Sequence, residues 1–151
     1  MKSRTVSLLE EWLALRSLSF AEALTRFSVS AEDAEADLGY GELENLTGLG
    51  NLPNCPGYFY FRDGSFVLFY VDKMADEVDE LQLQDMLDFL GEPQAVWRSN
   101  IGKLQMVYVY AEKGIAFSAS DDEVAFVEIF NPLPLAEYEA KFYVNPSSFE
   151  R

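Results

Sequence analysis

Tyr58-Phe59-Tyr60-Phe61-Arg62-Asp63-Gly64-Ser65-Phe66-Val67-Leu68-Phe69-Tyr70-Val71-Asp72 decides the fold. Asp-Gly tolerates the positive φ that a tight hairpin turn requires, so the run reads as a strand over 58–62, a turn at Asp63-Gly64 and a strand over 66–72. Both strands are apolar on both faces: Tyr58 and Tyr60 point one way, Phe59 and Phe61 the other. Such a hairpin is either central in a sheet and covered on both sides, or it leaves an aromatic face open for a partner.

The hairpin has an echo. Tyr58-x-Tyr60-x3-Gly64 recurs fifty residues later as Tyr108-x-Tyr110-x3-Gly114, and Leu38-Gly39 recurs fifty-two residues later as Leu90-Gly91. Each Leu-Gly reads as the close of a helix, with Gly39 free to take a left-handed closing conformation. One two-residue indel aligns both pieces, as expected of a helix–hairpin unit present twice, over 30–72 and 82–130. The alternative is chance recurrence, since aromatics make up 15% of the chain.

Upstream, residues 5–27 are helical by pattern. Ser7-x-x-Glu10 and Ser19-x-x-Glu22 both fit the capping-box form, which predicts two short helices broken near 17–19. Leu9, Trp12, Leu13 and Arg16 fall on one face, with Leu8 and Leu15 on the neighbouring stripe. Ser30-Ala31-Glu32-Asp33 reads as the start of a helix running to Leu38, with acids in its first turn. The glycines and prolines of 47–57 read as a loop. Downstream, Leu83, Met86, Leu87 and Leu90 form a helical stripe stopped by Gly91 and Pro93. Strands over 94–99, 103–111, 115–119 and 123–130 then follow at the short spacing of an antiparallel meander, with a turn at Asn100-Ile101-Gly102. Residues 135–143 read as a short final helix and 144–151 as an extended tail. In the last strand Glu128 shares a face with Val124, Phe126 and Phe130, so that face is solvent-exposed or the carboxylate has a specific partner.

Composition bounds the chemistry. The 151 residues suit one domain. No apolar run reaches the roughly 18 residues that span a bilayer, and the start of the chain carries no secretory cleavage pattern. A cytoplasmic protein is the expectation. The single cysteine, Cys55, in Asn54-Cys55-Pro56-Gly57, excludes an internal disulfide framework and a cysteine-built metal site. Histidine is absent, which removes the usual base near neutral pH, the commonest metal ligand and every Ser-His or Cys-His device. No metal and no cofactor is expected, and Glu128 and Asp63 are only nominal acid–base candidates. Net charge is −15; residues 1–27 hold a net +1, so the remainder carries −16. That disfavours nucleic acid and anionic membrane and allows a basic protein partner.

Residues 83–130, with Leu90-Gly91-Glu92-Pro93 followed by a meander containing Tyr108-Val109-Tyr110, resemble the helix–Leu-Gly-x-Pro–strands unit of SmpA-like and β-lactamase-inhibitor-protein-like domains. The second of these families is built from tandem copies. Glu35-Ala36-Asp37-Leu38-Gly39, Leu52-Pro53 and Gly64 resemble, more distantly, SMI1/KNR4-like immunity proteins. Both resemblances imply binding rather than catalysis.

The resulting expectation is an α+β fold, N-terminal helices packed on a mainly antiparallel sheet. Its function is that of a non-enzymatic protein-interaction module, of inhibitor or immunity type, with an acidic surface. The candidate partner-binding residues are Tyr58, Tyr60, Tyr108, Tyr110, Asp121, Asp122, Glu123 and Glu128. The competing reading is a small-ligand carrier, or an enzyme built from carboxylates and tyrosines.

Overall fold

The computed structural model describes residues 3–53, 55–99 and 105–143; the predicted turn at 100–102 and the tail at 144–151 lie outside them. The chain opens with α1 (Arg4–Ala14), a 3-10 turn at Leu15–Ser17, and α2 (Phe20–Phe27). Ser19 and Glu22 form the predicted capping box. Ser7 does not cap; Ser3 accepts from the Val6 amide instead, which places the helix start one turn earlier. α1 buries Leu8, Leu9 and Trp12. After the sheet's first half come α3 (Asp76–Asp79) and α4 (Leu83–Leu90), and α5 (Leu135–Lys141) closes the described chain.

α4 is held at both ends by distant residues. The Gln82 amide donates to the Thr5 hydroxyl at 2.9 Å, which explains a buried threonine on α1. At the other end the Tyr110 hydroxyl donates to the Gly91 carbonyl at 2.8 Å, and the Lys113 ammonium donates to the Leu90 carbonyl. These donors satisfy carbonyls that a helix terminus leaves without partners.

The strands are β1 (Glu35–Tyr40), β2 (Leu43–Leu52), β3 (Cys55–Arg62), β4 (Ser65–Asp72), β5 (Ala95–Arg98), β6 (Met106–Tyr110), β7 (Ile115–Ser120) and β8 (Glu123–Phe130). Among the described residues they form one antiparallel sheet in the order β1-β2-β3-β4-β8-β7-β6-β5. It is two meanders, each preceded by helices, joined where β4 pairs with β8. The fold class is α+β, as the sequence predicts, and the Asp63-Gly64 hairpin sits where expected, with both residues at positive φ.

Two expectations are corrected. Residues 30–38 do not form a helix: Ser30 and Asp33 cap a single 3-10 turn, Ala31–Asp33, and β1 begins at Glu35. Asp37 and Asn45 at positive φ and the register shifts around Leu38 break helical and regular strand geometry alike. Of the expected loop over 47–57, residues 47–52 belong to β2 and residues 55–57 to β3. Gly48 and Gly50 lie opposite Tyr60 and Tyr58, and the Tyr58 ring covers both glycines. A Cβ on Gly50 would sit 2.2 Å from that ring. The glycines thus weaken β2 by propensity but admit a cross-strand aromatic that replaces the missing packing.

The fifty-residue echo does not relate corresponding places. Leu38-Gly39 lies within β1, whereas Leu90-Gly91 ends α4. Tyr58 and Tyr60 sit on β3, adjacent to the β4–β8 junction strands, while Tyr108 and Tyr110 sit on β6, one strand further out. Places that do correspond lie fifty-eight residues apart: β4 starts at Ser65 and β8 at Glu123, preceded by the left-handed pairs Asp63-Gly64 and Asp121-Asp122.

The sheet divides two cores. On one face α1, α2 and α4 pack against Phe59, Phe61, Phe69, Phe117, Val127 and Ile129. On the other, α5 and its flanks pack against Leu68, Val107, Val109, Phe126 and Phe130. On this second face the first meander must curl. Tyr40 of edge strand β1 reaches Glu128 of β8, yet three strands intervene, which on a flat sheet means about 19 Å at about 4.8 Å per strand. The β1–β2 turn folds onto α5, the Glu42 amide donating to the Lys141 carbonyl at 2.9 Å.

That docking gives a test. A Cβ on Gly41 would lie 2.4 Å from the Lys141 carbonyl oxygen, whereas one on Gly64 meets nothing; both residues have positive φ. Gly64→Ala should cost about 1 kcal/mol from backbone strain alone, and Gly41→Ala about 2 kcal/mol or more. Urea unfolding of the two variants checks this, and equal losses would mean that the docked turn contributes little.

Candidate functional site

The eight candidate residues separate into three places. Tyr108 and Tyr110 face the helices: Tyr108 stacks on Phe117 with ring centroids 5.0 Å apart, and Tyr110 is buried with its hydroxyl on Gly91. Tyr110 therefore offers no partner-binding surface; it is a core residue that caps α4. Asp121, Asp122 and Glu123 are exposed at the β7–β8 turn, with Glu123 bonded to the Lys73 ammonium at 3.0 Å. Tyr58 and Tyr60 lie on the opposite face from Tyr108, half-buried. Glu128 shares that face but is 3% exposed, so it too is no outward contact. Asp63 lies in an exposed turn, apart from buried Glu128, and the nominal acid–base pair does not form.

Glu128 has the specific partners its position demands. One carboxylate oxygen accepts from the Tyr138 hydroxyl of α5 at 2.5 Å, the other from the Tyr40 hydroxyl of β1. Burial raises its pKa to about 7, against the downward pull of the two phenol donors. Both phenols are pushed well above their ordinary range, first by burial and then by the Glu128 charge, and so remain donors. Tyr70, opposite Glu128 in the β4–β8 pairing, is likewise raised, by burial first and then by Asp72 and Glu128. Sequence reasoning flagged Glu128 as needing a partner but found neither Tyr40 nor Tyr138; only the curl brings residue 40 to it.

From this cluster a chain of rings runs outward. Tyr40 contacts Tyr70 and Tyr60, at centroid separations of 5.9 and 5.5 Å, and Tyr60 contacts Tyr58 at 5.1 Å. Tyr58, Tyr60 and Tyr70 line an open cleft of about 680 Å³ with Asp72 and Met74 at its margin. Met74 is 93% exposed. The Tyr58 phenol is raised to about 12, chiefly by burial and then by the Glu35 carboxylate. Cys55, in the lining of the cleft, has its thiol pushed up to about 11, chiefly by burial, which keeps it a protonated, weak nucleophile. Among the described residues no group of three or more Cys, Asp and Glu is placed to hold a metal ion.

The chain matches no protein-family model, no curated protein and no solved structure. The functional reading therefore rests on these residues.

Glu128 predicts a pH dependence whose sign follows from its shift. A folded pKa of about 7 against 4.5 for the free side chain means that the folded state holds the proton more tightly. The associated stability is complete below about 4.5 and disappears as pH rises through about 7. Glu128→Gln cannot titrate but still offers an acceptor and a donor to the two phenols. The stability of the wild type relative to Glu128→Gln should rise as pH falls from about 8 to about 5. Chemical denaturation across that range reads the difference, and a flat difference would contradict the assignment.

Proposed function

We propose that this protein is a non-enzymatic protein-interaction module that binds a basic partner through the tyrosine cleft of β3 and β4 and the acidic residues around it. The observation that carries the reading is the cleft itself: open, walled by Tyr58, Tyr60 and Tyr70, and, among the described residues, without a Lys or Arg in its lining. Aromatic side chains in a concave patch are what binding hot spots use. The Asp121–Glu123 turn adjoins it through Lys73, which follows Asp72 in sequence and pairs with Glu123. Tyr58, Tyr60, Asp121, Asp122 and Glu123 are thus retained as partner-binding residues, and Tyr108 and Tyr110 are not.

Catalysis is less well supported. The cleft phenols Tyr58, Tyr60 and Tyr70 are driven further from neutrality, and Glu128, whose carboxylate is raised to about 7, is closed off beneath Tyr40 and Tyr138. The small-ligand alternative keeps one argument, since about 680 Å³ lies within the range of small-molecule sites. The cleft's openness to one side favours a protruding segment of a larger partner. An inhibitor or immunity-type role is the finer form of the proposal; the two helix–meander halves accord with the tandem build of β-lactamase-inhibitor-protein-like domains. A cytoplasmic setting agrees with a lone, half-buried cysteine; among the described residues no helix is long and apolar enough to cross a membrane.

The reading is tested by capturing partners from the host, purifying them, and measuring association kinetics at two salt concentrations. Screening shortens the Debye length from about 30 Å at about 0.01 M to about 10 Å at about 0.1 M, so association should slow steeply. Neutralising Asp121, Asp122 and Glu123 should mainly lower the association rate, and Tyr60→Leu should mainly raise dissociation. Salt-independent association would reduce the acidity to a solubility feature.

A further inference from the structure

Resting on that reading, we propose that the tyrosine cleft is a receptor for arginine side chains of the partner, whose guanidinium planes stack on Tyr58 and Tyr60 and fork onto the carboxylates of Asp72 and Glu35.

The rings come first. Tyr58 is held across Gly48 and Gly50, close enough that a Cβ on either glycine would overlap its ring atoms. One face of the ring is therefore seated on the β2 backbone, and the other is turned away from the sheet. Tyr60 lies against it at 5.1 Å and a 52° interplanar angle, and Tyr40 meets Tyr60 from behind at 5.5 Å. Two tilted rings with negative π faces, backed by a third, form a concave surface that attracts a cation.

The carboxylates come next. Asp72 lines the cleft with Tyr70, and its Oδ1 accepts from the Met74 amide at 2.9 Å; Glu35 pairs across the β1–β2 ladder with Gly48, over which the hydroxyl end of Tyr58 lies. The amide bond engages one lone pair of an acceptor that has about four, so the Asp72 carboxylate keeps capacity for a bidentate donor, with the Glu35 carboxylate beside Tyr58 as a second acceptor. Among the described residues the cleft lining holds no Lys or Arg. The adjacent cation, Lys73, is directed to Glu123 at 3.0 Å, and Arg62 donates to the Glu44 carbonyl at 2.7 Å.

Guanidinium fits better than ammonium. It is planar, weakly hydrated and presents paired N–H donors, so it can stack and fork at once, whereas a lysine head is a strongly hydrated point charge. Met74, exposed at the cleft margin, offers a polarizable surface for the aliphatic stem. Nucleic acid is disfavoured by the acidic surroundings, and a second copy of this chain by its own charge of −15. A basic segment of another protein is the occupant that the charge favours.

The experiment uses the full chain and three synthetic nonapeptides of glycine with three arginines, three lysines or three glutamines, titrated by calorimetry. The arginine peptide should bind about fivefold or more tighter than the lysine peptide, and the glutamine peptide should not bind. Tyr60→Leu should abolish the arginine–lysine difference, and Asp72→Asn should weaken both basic peptides. Asp85→Asn with Asp88→Asn, on α4 across the molecule, should preserve the ratio. Retained circular dichroism and melting temperature show that each variant is folded. Equal affinity for both basic peptides, unaltered by Tyr60→Leu, would overturn the arginine receptor while leaving an acidic interaction surface intact. No binding of the arginine peptide at millimolar concentration would overturn it as well, and the module reading would then stand or fall on the salt dependence with its purified partner.

Discussion

A carboxylate buried in the middle of the sheet, with no cation beside it among the described residues, sets the terms for the rest of the molecule. Glu128 lies on β8, flanked by β4 and β7, and an unpaired buried charge there would cost several kcal/mol. What satisfies it is two phenol donors that arrive from far apart in the chain. Tyr138 comes from α5 and Tyr40 from the opposite edge of the sheet. Each donor fixes the element that carries it. α5 must lie over β8, and the β1–β2 edge must curl until residue 40 stands above residue 128. The Gly41 turn against the Lys141 carbonyl completes the closure, because the close approach leaves no room for a side chain.

The same closure shapes the cleft. Tyr40 is at once a donor to Glu128 and the ring behind Tyr60 and Tyr70. The clamp at the centre of the sheet therefore also forms the back wall of the aromatic surface that opens beside it. Tyr70 belongs to both, facing Glu128 across the β4–β8 pairing and lining the cleft. A network of this kind is fully satisfied or costly. Among the described residues no buried side-chain polar atom lacks a partner, which is consistent with a rigid wall presented to a partner rather than an adaptable one.

How far the sequence could be read follows from where each signal was local. The Asp63-Gly64 hairpin, the stripe of α4 with its Gly91 stop, and β8 are legible because turn chemistry and periodicity lie within a few residues of one another. β1 and β2 were not legible. Ser30 and its acids are a genuine cap, but for one turn only, and Gly48 and Gly50 signal a loop until the Tyr58 ring is laid across them. Tyr108 and Tyr110 carry no local sign of which face they take; packing beneath α4 decides it. Glu128 was legible as an anomaly, and its answer lay 88 residues away in Tyr40.

The acidity of the open face follows in part from where the cations are. Arg16 donates to the Leu13 and Lys113 carbonyls, Lys113 to the Leu90 carbonyl, and Arg62 to the Glu44 carbonyl. These side chains bind neutral backbone oxygens, so they stabilise the fold without neutralising a carboxylate. Arg26 stands over the Phe27 ring, and Arg4, Lys73 and Lys141 pair with acids at exposed positions, where an ion pair contributes about 1 kcal/mol or less. With 26 acidic residues against 11 basic ones, diverting these cations to carbonyls adds to the surplus of negative charge. On most of the surface that excess serves solubility. Around Tyr58, Tyr60 and Tyr70 it coincides with a concave aromatic wall, and there the same unneutralised charge becomes a reason for a cationic side chain to enter.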